Sequence, residues 1–348
     1  MEDIIENYYH IQGLDESVLC LNPLIKEEGL EFIKFSFLEF QNKFHKYFLS
    51  EFDELSESTT SVSFNDKEIY SGVSMTFESI IHHSSLICSF ELEGSGYLIL
   101  LKDIIVINSD INEIEEVEIE SEIDEDDYFD YEKYLTPKIK SLINKLRIFK
   151  KGHLKLISCF TIYRSNEFIR LTESYNIPVS YDFKNYRYRI DLEDLDFISS
   201  HIQKELSIPP LLELAFDSFN ESYNIDHLKL KYVTLIIALE SIFNRSGQDP
   251  IQHIISRHVS LLLSSTREEF ETISKNVKEL YNIRSIIVHG KTEGGELKKI
   301  EKLQPYLDRL EDVVRDVLKK LIWMYDFEEK QPTKDSLFSY LNAKGFEG

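Results

Sequence analysis

The residues of this chain best suited to chemistry are an arginine and a histidine at the end of one predicted helix. The segment Tyr281 to Gly290 has the sequence Y-N-I-R-S-I-I-V-H-G and places Arg284 five positions before His289. A guanidinium can grip a phosphate with two parallel hydrogen bonds, and an imidazole can exchange protons near neutral pH. Together they could hold and cleave a phosphodiester. Because this spacing often occurs by chance, the prediction depends on the surrounding element.

The pair belongs to a helix with a recognisable signal at each end. A capping box at Thr266 to Glu269 and a stop at Gly290 predict a helix over 266–289. At about 100° per residue, Arg284 falls in the middle of its apolar stripe. The stripe consists of Phe270, Ile273, Val277, Leu280 and Ile287. Since an unpartnered buried charge costs several kcal/mol, Arg284 must contact a carboxylate or a phosphate, or face a solvent-filled cleft between subunits.

The sequence leaves two interpretations of Arg284 open. It is either half of an internal ion pair, with Glu240 as the best partner, or the ligand of a bound phosphate. His289 follows it by roughly 140° around the helix and about 7.5 Å along it, so the two do not share a face. They can converge if His289 turns outward at the helix end, or if a two-fold axis brings in the pair of a second copy. Free carbonyls at that end favour the imidazolium while Arg284 opposes it, which suits acid and base work.

Helical periodicity continues almost throughout the chain after residue 195. It predicts helices at about 193–206, 208–223, 227–245, 249–264 and 266–289, and a longer one at 303–328. A compact all-α bundle is the natural packing of such helices. We therefore expect a helical domain over residues 196–348.

The first 195 residues have a mixed pattern that predicts an α+β domain. Strands are predicted at Leu86–Leu92, Tyr97–Asn108, Leu154–Arg164 and Tyr186–Leu192, of which the first two form a hairpin. Thr136-Pro137 opens a helix that runs to about Phe149. Residues 1–56 suit helix and strand about equally. No glycine-rich phosphate loop occurs in residues 1–195, and the sequence does not reveal what this domain does. Under the endoribonuclease hypothesis given below, residues 1–195 are a sensing or regulatory domain.

The charge of the chain is strongly acidic and unevenly placed. The net charge of −23 argues against a protein that coats nucleic acid without specificity. Residues 201–348 hold 20 basic and 23 acidic side chains, which leaves 19 and 39 for residues 1–200. Twelve of the twenty-one residues from Asp110 to Asp130 are acidic. Such a run is typical of a solvated loop; the alternatives are a surface that docks a basic partner or keeps RNA out, and, least favoured, a metal site.

Membrane and cofactor signals are missing from the sequence. No apolar run is long enough to span a bilayer, and the N-terminus lacks the order of a signal peptide, so we expect a cytoplasmic protein without a membrane partner. The three cysteines are far apart and have no ligand spacing. We expect no metal and no other cofactor.

Three segments together resemble the Apea-like branch of the HEPN superfamily, in its order and at its separations. They are Leu235–Phe243 (L-I-I-A-L-E-S-I-F), Ile254–Leu263 (I-I-S-R-H-V-S-L-L-L) and Tyr281–Gly290. The resemblance covers about residues 208–328 and implies an all-α HEPN-type bundle that dimerises through its motif helices, often behind an N-terminal domain of varied fold. It also implies RNA cleavage without metal, often by a toxin or phage-defence effector, with 2′,3′-cyclic phosphate and 5′-hydroxyl products.

The same resemblance implies the roles of the two catalytic candidates. Arg284 would grip the scissile phosphate and stabilise developing charge, and His289 would exchange protons with the 2′-hydroxyl or the leaving 5′-oxygen. Tyr281, Asn282 and Ser285 would position the substrate. Ser285 departs from the Asn, Asp or His that follows the arginine in many HEPN nucleases, which puts the rate in doubt.

Further residues are implied to support the pair. Glu240 and Arg257 match acidic and basic family positions on neighbouring helices, and either orient Arg284 or form a structural ion pair. Lys291, Lys298 and Lys299, just past the motif, could admit RNA locally. The expected partners are RNA, a second copy of the chain and a regulatory protein or trigger at the N-terminal domain. The alternative to an endoribonuclease is a non-catalytic HEPN dimer that binds a nucleotide, an RNA or a protein partner.

Overall fold

The computed structural model has an antiparallel sheet in its N-terminal part and mostly helices after it. It describes residues 3–36, 39–40, 43, 62–64, 67–70, 97–107, 137–152, 154–164, 169–175, 187–244, 250–290, 302–324 and 333–344. The chain divides into a sheet unit, residues 1–140 with 152–203, and a helical unit, residues 141–151 with 204–348. The predicted boundary at residue 195 therefore differs, and residues 141–151 group with the helices.

Five strands form the sheet: Asp3–Gln12 (β1), Leu30–Ser36 (β2), Tyr97–Ile107 (β5), Lys155–Arg164 (β6) and Ile169–Tyr175 (β7). Their order in the sheet is β2-β5-β1-β6-β7, and every neighbouring pair is antiparallel. Two short strands, Val62–Phe64 (β3) and Lys67–Tyr70 (β4), pair with each other. In the central strand Tyr9 pairs with Leu101 on one side and Cys159 on the other, and all three are buried.

Short helices complete the sheet unit. The one-turn helix Asn22–Ile25 (α1), between 3-10 turns at Glu16–Leu21 and Lys26–Glu28, is tied to β2 by two hydrogen bonds. The Asn22 amide accepts from the Phe32 N–H at 2.7 Å and donates to the Phe32 carbonyl at 2.9 Å. The helix Pro137–Phe149 (α2) begins at the predicted proline and crosses the division between the units.

The predicted strand Tyr186–Leu192 is wrong. Among the described residues 187–192, only Tyr188 forms a bridge, with Leu14, and the helix Leu192–His201 (α3) begins where the strand was expected to end. Asp191 caps that helix in a reciprocal capping box with Asp194. The alternating residues before it are thus the extended approach to a helix rather than a paired strand.

Six helices pack together in the described part of the helical unit. They are Glu213–Glu221 (α4), Leu228–Phe243 (α5), Ile251–Leu263 (α6), Arg267–His289 (α7), Gln304–Lys319 (α8) and Lys334–Ala343 (α9). A π-helical turn, Lys320–Met324, extends α8. The helix predicted from residue 208 begins only at Glu213, because Pro209 accepts a turn hydrogen bond from Leu212 at 2.7 Å. The sequence did not predict α9.

A buried ion network joins α5, α8, the end of α2 and Tyr223, which lies two residues after α4. Arg315 is 4% exposed and pairs with Glu311, whose carboxylate accepts from the Tyr223 hydroxyl at 3.0 Å. Lys231 of α5 lies 3.6 Å from the same carboxylate. The Arg315 Nε donates to the carbonyl of Arg147 at 2.9 Å and so caps the last turn of α2.

Several predictions concern residues outside the described ranges. These are the strand Leu86–Leu92, the acidic run 110–130 and the three lysines Lys291, Lys298 and Lys299. Of the helices that the structure describes, none has the length and hydropathy to cross a bilayer.

Candidate functional site

The helix α7 has both of its predicted ends. The Thr266 hydroxyl accepts from the Glu269 N–H at 3.2 Å, and the Glu269 carboxylate accepts from the Thr266 N–H at 3.2 Å. Gly290 ends the helix in the left-handed conformation, with φ of 64°, and donates to the Ile286 carbonyl at 3.0 Å. These reciprocal bonds hold the motif segment as one rigid helix up to His289.

Arg284 lies on the apolar face of α7, as predicted, but it is not sealed there. Val277 and Leu280 are buried on the same stripe, whereas the Arg284 side chain is 28% exposed. Its Nη2 is 3.7 Å from Glu240 Oε1, and its guanidinium carbon is 5.7 Å from the centre of the Tyr281 ring. Its Nε is buried and makes no hydrogen bond to any described residue. The ion pair with Glu240 therefore exists, but it is long and leaves donors of the guanidinium unused.

Glu240 connects Arg284 to Tyr281. The Tyr281 hydroxyl donates to Glu240 Oε1, the oxygen that also faces Arg284. Burial raises the pKa of Tyr281 above its usual value, and the hydrogen bond to Glu240 raises it further. The phenol thus stays protonated and keeps donating, which holds the carboxylate in place. Glu240 comes from α5, so this three-residue group joins α5 and α7.

His289 stands apart from that group. It is exposed at the last position of α7, and its ring has no hydrogen bond or ion pair within the described ranges. No contact joins it to Arg284, in keeping with the angle expected for an ideal helix. Two exposed apolar side chains accompany the pair: Val288 of α7 is 48% exposed and Ile237 of α5 is 41% exposed.

Of the residues expected to position substrate, only Tyr281 contacts Arg284. Asn282 is exposed and its Oδ1 accepts from Gln252 Nε2 of α6 at 2.9 Å. Ser285 is half-buried, and its hydroxyl has no hydrogen-bond partner in the described part of the chain. Gln252 was not predicted as a site residue, and nothing in the sequence around it singles it out.

Arg257 does not support Arg284. Its Nη1 donates to Asn342 Oδ1 at 2.8 Å and lies 3.3 Å from His258 Nε2, so it faces α9. No contact links it to Arg284 or Glu240 among the described residues. The expectation that Arg257 orients Arg284 is therefore not met, because α9 supplies a different partner. The N-cap at Thr333, whose side chain accepts from the Ser336 N–H, was the signal that could have revealed α9.

Comparison with known proteins gives one partial similarity. The chain is 34% identical over 106 residues to the Borreliella burgdorferi protein named "Putative outer membrane protein BBA03". The aligned stretch is 30% of this chain, which spans 61% of the length of that curated relative. No family model matches the chain. No solved structure matches it either.

Proposed function

We propose that this chain is a metal-independent endoribonuclease of HEPN type. One observation carries the proposal: Arg284 is a cation on an apolar helix face, yet it is 28% exposed and its Nε lacks a hydrogen bond among the described residues. An arginine placed only to close an internal ion pair would be sealed and fully hydrogen-bonded. Guanidinium donors that no described residue uses instead suit a bound phosphate.

The reaction that fits these groups is transfer of the phosphate to the neighbouring 2′-oxygen. Arg284 would bind the non-bridging oxygens and stabilise their growing charge. The 2′-oxygen attacks phosphorus, the bond to the 5′-oxygen breaks, and the proton lost by the first oxygen is balanced by one gained by the second. His289 would make one of these transfers. The products are a 2′,3′-cyclic phosphate and a 5′-hydroxyl.

A second copy of the chain completes the proposed site. One imidazole cannot both remove and donate a proton in a single concerted step, whereas a two-fold site supplies two. Ile237 lies three residues before Glu240, and Val288 four residues after Arg284, so each exposed apolar side chain lies close to the face of its helix that carries a site residue. Exposed apolar side chains on paired helices favour an interface. We therefore propose a homodimer through α5 and α7.

The biological setting is part of the proposal. We place the activity in the cytoplasm, where RNA is made and translated, as a toxin or phage-defence effector whose N-terminal sheet unit receives a trigger or a regulatory protein. The Borreliella protein is matched over 30% of this chain, so its name does not assign a cellular location to this protein.

The test is cleavage of labelled RNA by the purified full-length chain in EDTA. We expect the wild type to cut, and Arg284→Ala and His289→Ala to lose about 100-fold or more in rate while keeping their circular dichroism. Arg257→Ala is the matched control, since this arginine faces α9, and it should retain activity within a few-fold. Equal cutting by wild type, Arg284→Ala and His289→Ala would show the assignment to be wrong. Saturable binding with intact RNA recovered would instead support the non-catalytic HEPN dimer.

The dimer is tested separately with Ile237→Asp and Val288→Asp. Each places a charge on the proposed interface, so sedimentation should show a monomer that is folded and does not cut. Cleavage by a confirmed monomer would remove the two-fold site from the mechanism.

A further inference from the structure

Helix α7 has an exposed polar face, apart from the apolar stripe that carries Arg284. Five side chains on it fall within about 80° of one another around the helix axis, and they extend over about 21 Å from the first to the last. We call them the basic track: Lys275, Lys278, Asn282, Ser285 and His289. All are exposed except Ser285, which is half-buried. The track therefore leads along the helix to the proposed acid or base.

The lysines of the track keep their charge available. The acids nearest to them on α7 are already paired: Glu271 lies 3.3 Å from Arg267, and Glu279 lies 3.1 Å from Arg309. Lys275 and Lys278 have no carboxylate at ion-pair distance in the described part of the chain. The two lysines therefore remain available to an anion, although the whole protein is acidic.

Asn282 presents hydrogen-bond donors from the middle of the track. Its Oδ1 accepts from Gln252 Nε2 at 2.9 Å, and the same Gln252 nitrogen donates to the Lys278 carbonyl at 2.9 Å. With the oxygen engaged, the two N–H groups of Asn282 Nδ2 are left to donate, and they have no hydrogen bond to another described residue. A phosphate or sugar oxygen is the partner that suits it.

A cavity of about 650 Å³ lies along this face of α7. Ser274, Lys275, Lys278 and Asn282 line it, together with Phe270 and the two carboxylates that pair with arginines, Glu271 and Glu279. Proteins that bind single-stranded nucleic acid contact its backbone with basic and polar side chains and stack its bases on aromatic rings. Lys275, Lys278, Asn282 and Phe270 are side chains of these kinds.

We infer that the basic track is the path on which a single-stranded segment of RNA reaches the cleavage site. Lys275 and Lys278 contact backbone phosphates several nucleotides from the bond that is cut. Asn282 contacts the backbone between those phosphates and that bond. This rests on the proposed function, because the track ends at His289. A single strand is required because attack by the 2′-oxygen in line with the leaving 5′-oxygen needs a backbone that is not held in a duplex.

The experiment measures binding of an unstructured, labelled RNA oligonucleotide by the full-length chain. Methylation of every 2′-hydroxyl of the oligonucleotide removes the nucleophile, so binding is read without cutting. The double variant Lys275→Gln/Lys278→Gln should bind about ten-fold more weakly, and the slope of log affinity against log salt should fall by about 1.4, or about 0.7 for each phosphate contact. The matched control, Lys26→Gln/Lys204→Gln, removes two exposed lysines elsewhere and should bind like the wild type.

Cleavage of unmodified RNA gives a second measurement. The double variant should raise KM about ten-fold and leave kcat unchanged, since the track binds substrate and transition state equally. A duplex of the same sequence should bind the wild type more weakly than the single strand.

The outcomes separate the track from the catalytic proposal. Wild-type affinity and salt slope in the double variant would overturn the track and leave cleavage by Arg284 and His289 standing. Binding that depends on the track, without cutting of unmodified RNA, would support the track and reject the catalytic proposal. Absence of RNA binding by the wild type, or equal affinity for the duplex, would overturn the track.

Discussion

The partly buried guanidinium of Arg284 makes fewer polar contacts than such a group normally has. Its contact with Glu240 is 3.7 Å long, and leaving its Nε without a partner costs about 1–3 kcal/mol. The side chain stays in position because α7 is rigid and because the Tyr281 hydroxyl keeps Glu240 in place. A carboxylate that attracts the guanidinium without saturating it leaves donors for a substrate phosphate.

Tyr281→Phe tests that arrangement. The variant removes the hydroxyl that donates to Glu240, so the carboxylate gains freedom to pair more closely with Arg284 and to compete with phosphate. We expect KM for RNA to rise about ten-fold and the free energy of unfolding to fall by about 1 kcal/mol, the usual loss for one hydrogen bond. Tyr340→Phe, at an exposed position of α9, is the control for both measurements. An unchanged KM in Tyr281→Phe would remove Tyr281 from the positioning of Arg284.

At the scale of elements, the end of α7 depends on the backbone of Gly290. Its φ of 64° belongs to the left-handed region, while a side chain placed there would meet nothing within 4 Å. Gly290→Ala should therefore cost about 1 kcal/mol through backbone strain alone. Gly290→Asn should cost less, since asparagine tolerates this conformation. Urea unfolding of both variants checks the prediction, and equal stability of Ala and wild type would contradict it.

The C-terminal helix α9 is attached to the ends of two other helices. Lys334 Nζ donates to the Asn244 carbonyl at 3.0 Å, and Lys344 Nζ donates to the Ser264 carbonyl at 3.1 Å, which caps α5 and α6. Leu337 and Leu341 are fully buried between these contacts.

Leu341→Ala should lower the free energy of unfolding by about 2–4 kcal/mol, because it leaves a cavity in a packed core. Ser339→Ala changes an exposed residue of the same helix and should stay within about 0.5 kcal/mol of the wild type. Chemical denaturation followed by circular dichroism distinguishes them. A small effect of Leu341→Ala would mean that α9 is not part of the cooperative helical unit.

At the scale of the whole molecule, three buried tyrosines link stability to alkaline pH. Burial raises the pKa of Tyr223, Tyr232 and Tyr281 above the usual value of 10.0, and nearby Glu311 and Glu240 add to the rise at the first and third. Because the folded pKa is the higher one, their contribution to stability is fully present below pH 10 and is lost as pH rises toward the folded pKa. All three lie in the helical unit.

The free energy of unfolding, measured with urea between about pH 8 and pH 11, should fall as the pH rises. The absorbance of tyrosinate should appear together with unfolding, because the buried phenols ionise only when they reach water. Tyr223→Phe should make the alkaline fall in the free energy of unfolding shallower, because it removes one of the three buried phenols. If tyrosinate absorbance in the folded protein accounts for every tyrosine near pH 10, the three phenols are not protected as described.

The sequence by itself determined the elements whose signals are local. The capping box at Thr266, the stop at Gly290 and the apolar stripe between them predicted α7, and Thr136-Pro137 predicted the start of α2. Glu240 was named as the best partner for Arg284 if the arginine formed an internal ion pair, and the structure shows that contact at 3.7 Å. A cap or a helical period is complete within a few turns of chain, so it can be found without the fold.

Only the tertiary structure decided the rest. It placed β1 at the centre of the sheet and gave the described residues 187–192 a single bridge, at Tyr188. It also gave Arg257 a partner on α9 and left Arg284 partly exposed. Strand pairing, the docking of a ten-residue helix and the solvation of one guanidinium depend on residues far away in the chain. Their free energies come from contacts that form only when distant segments pack together, and no window of sequence contains both sides of such a contact.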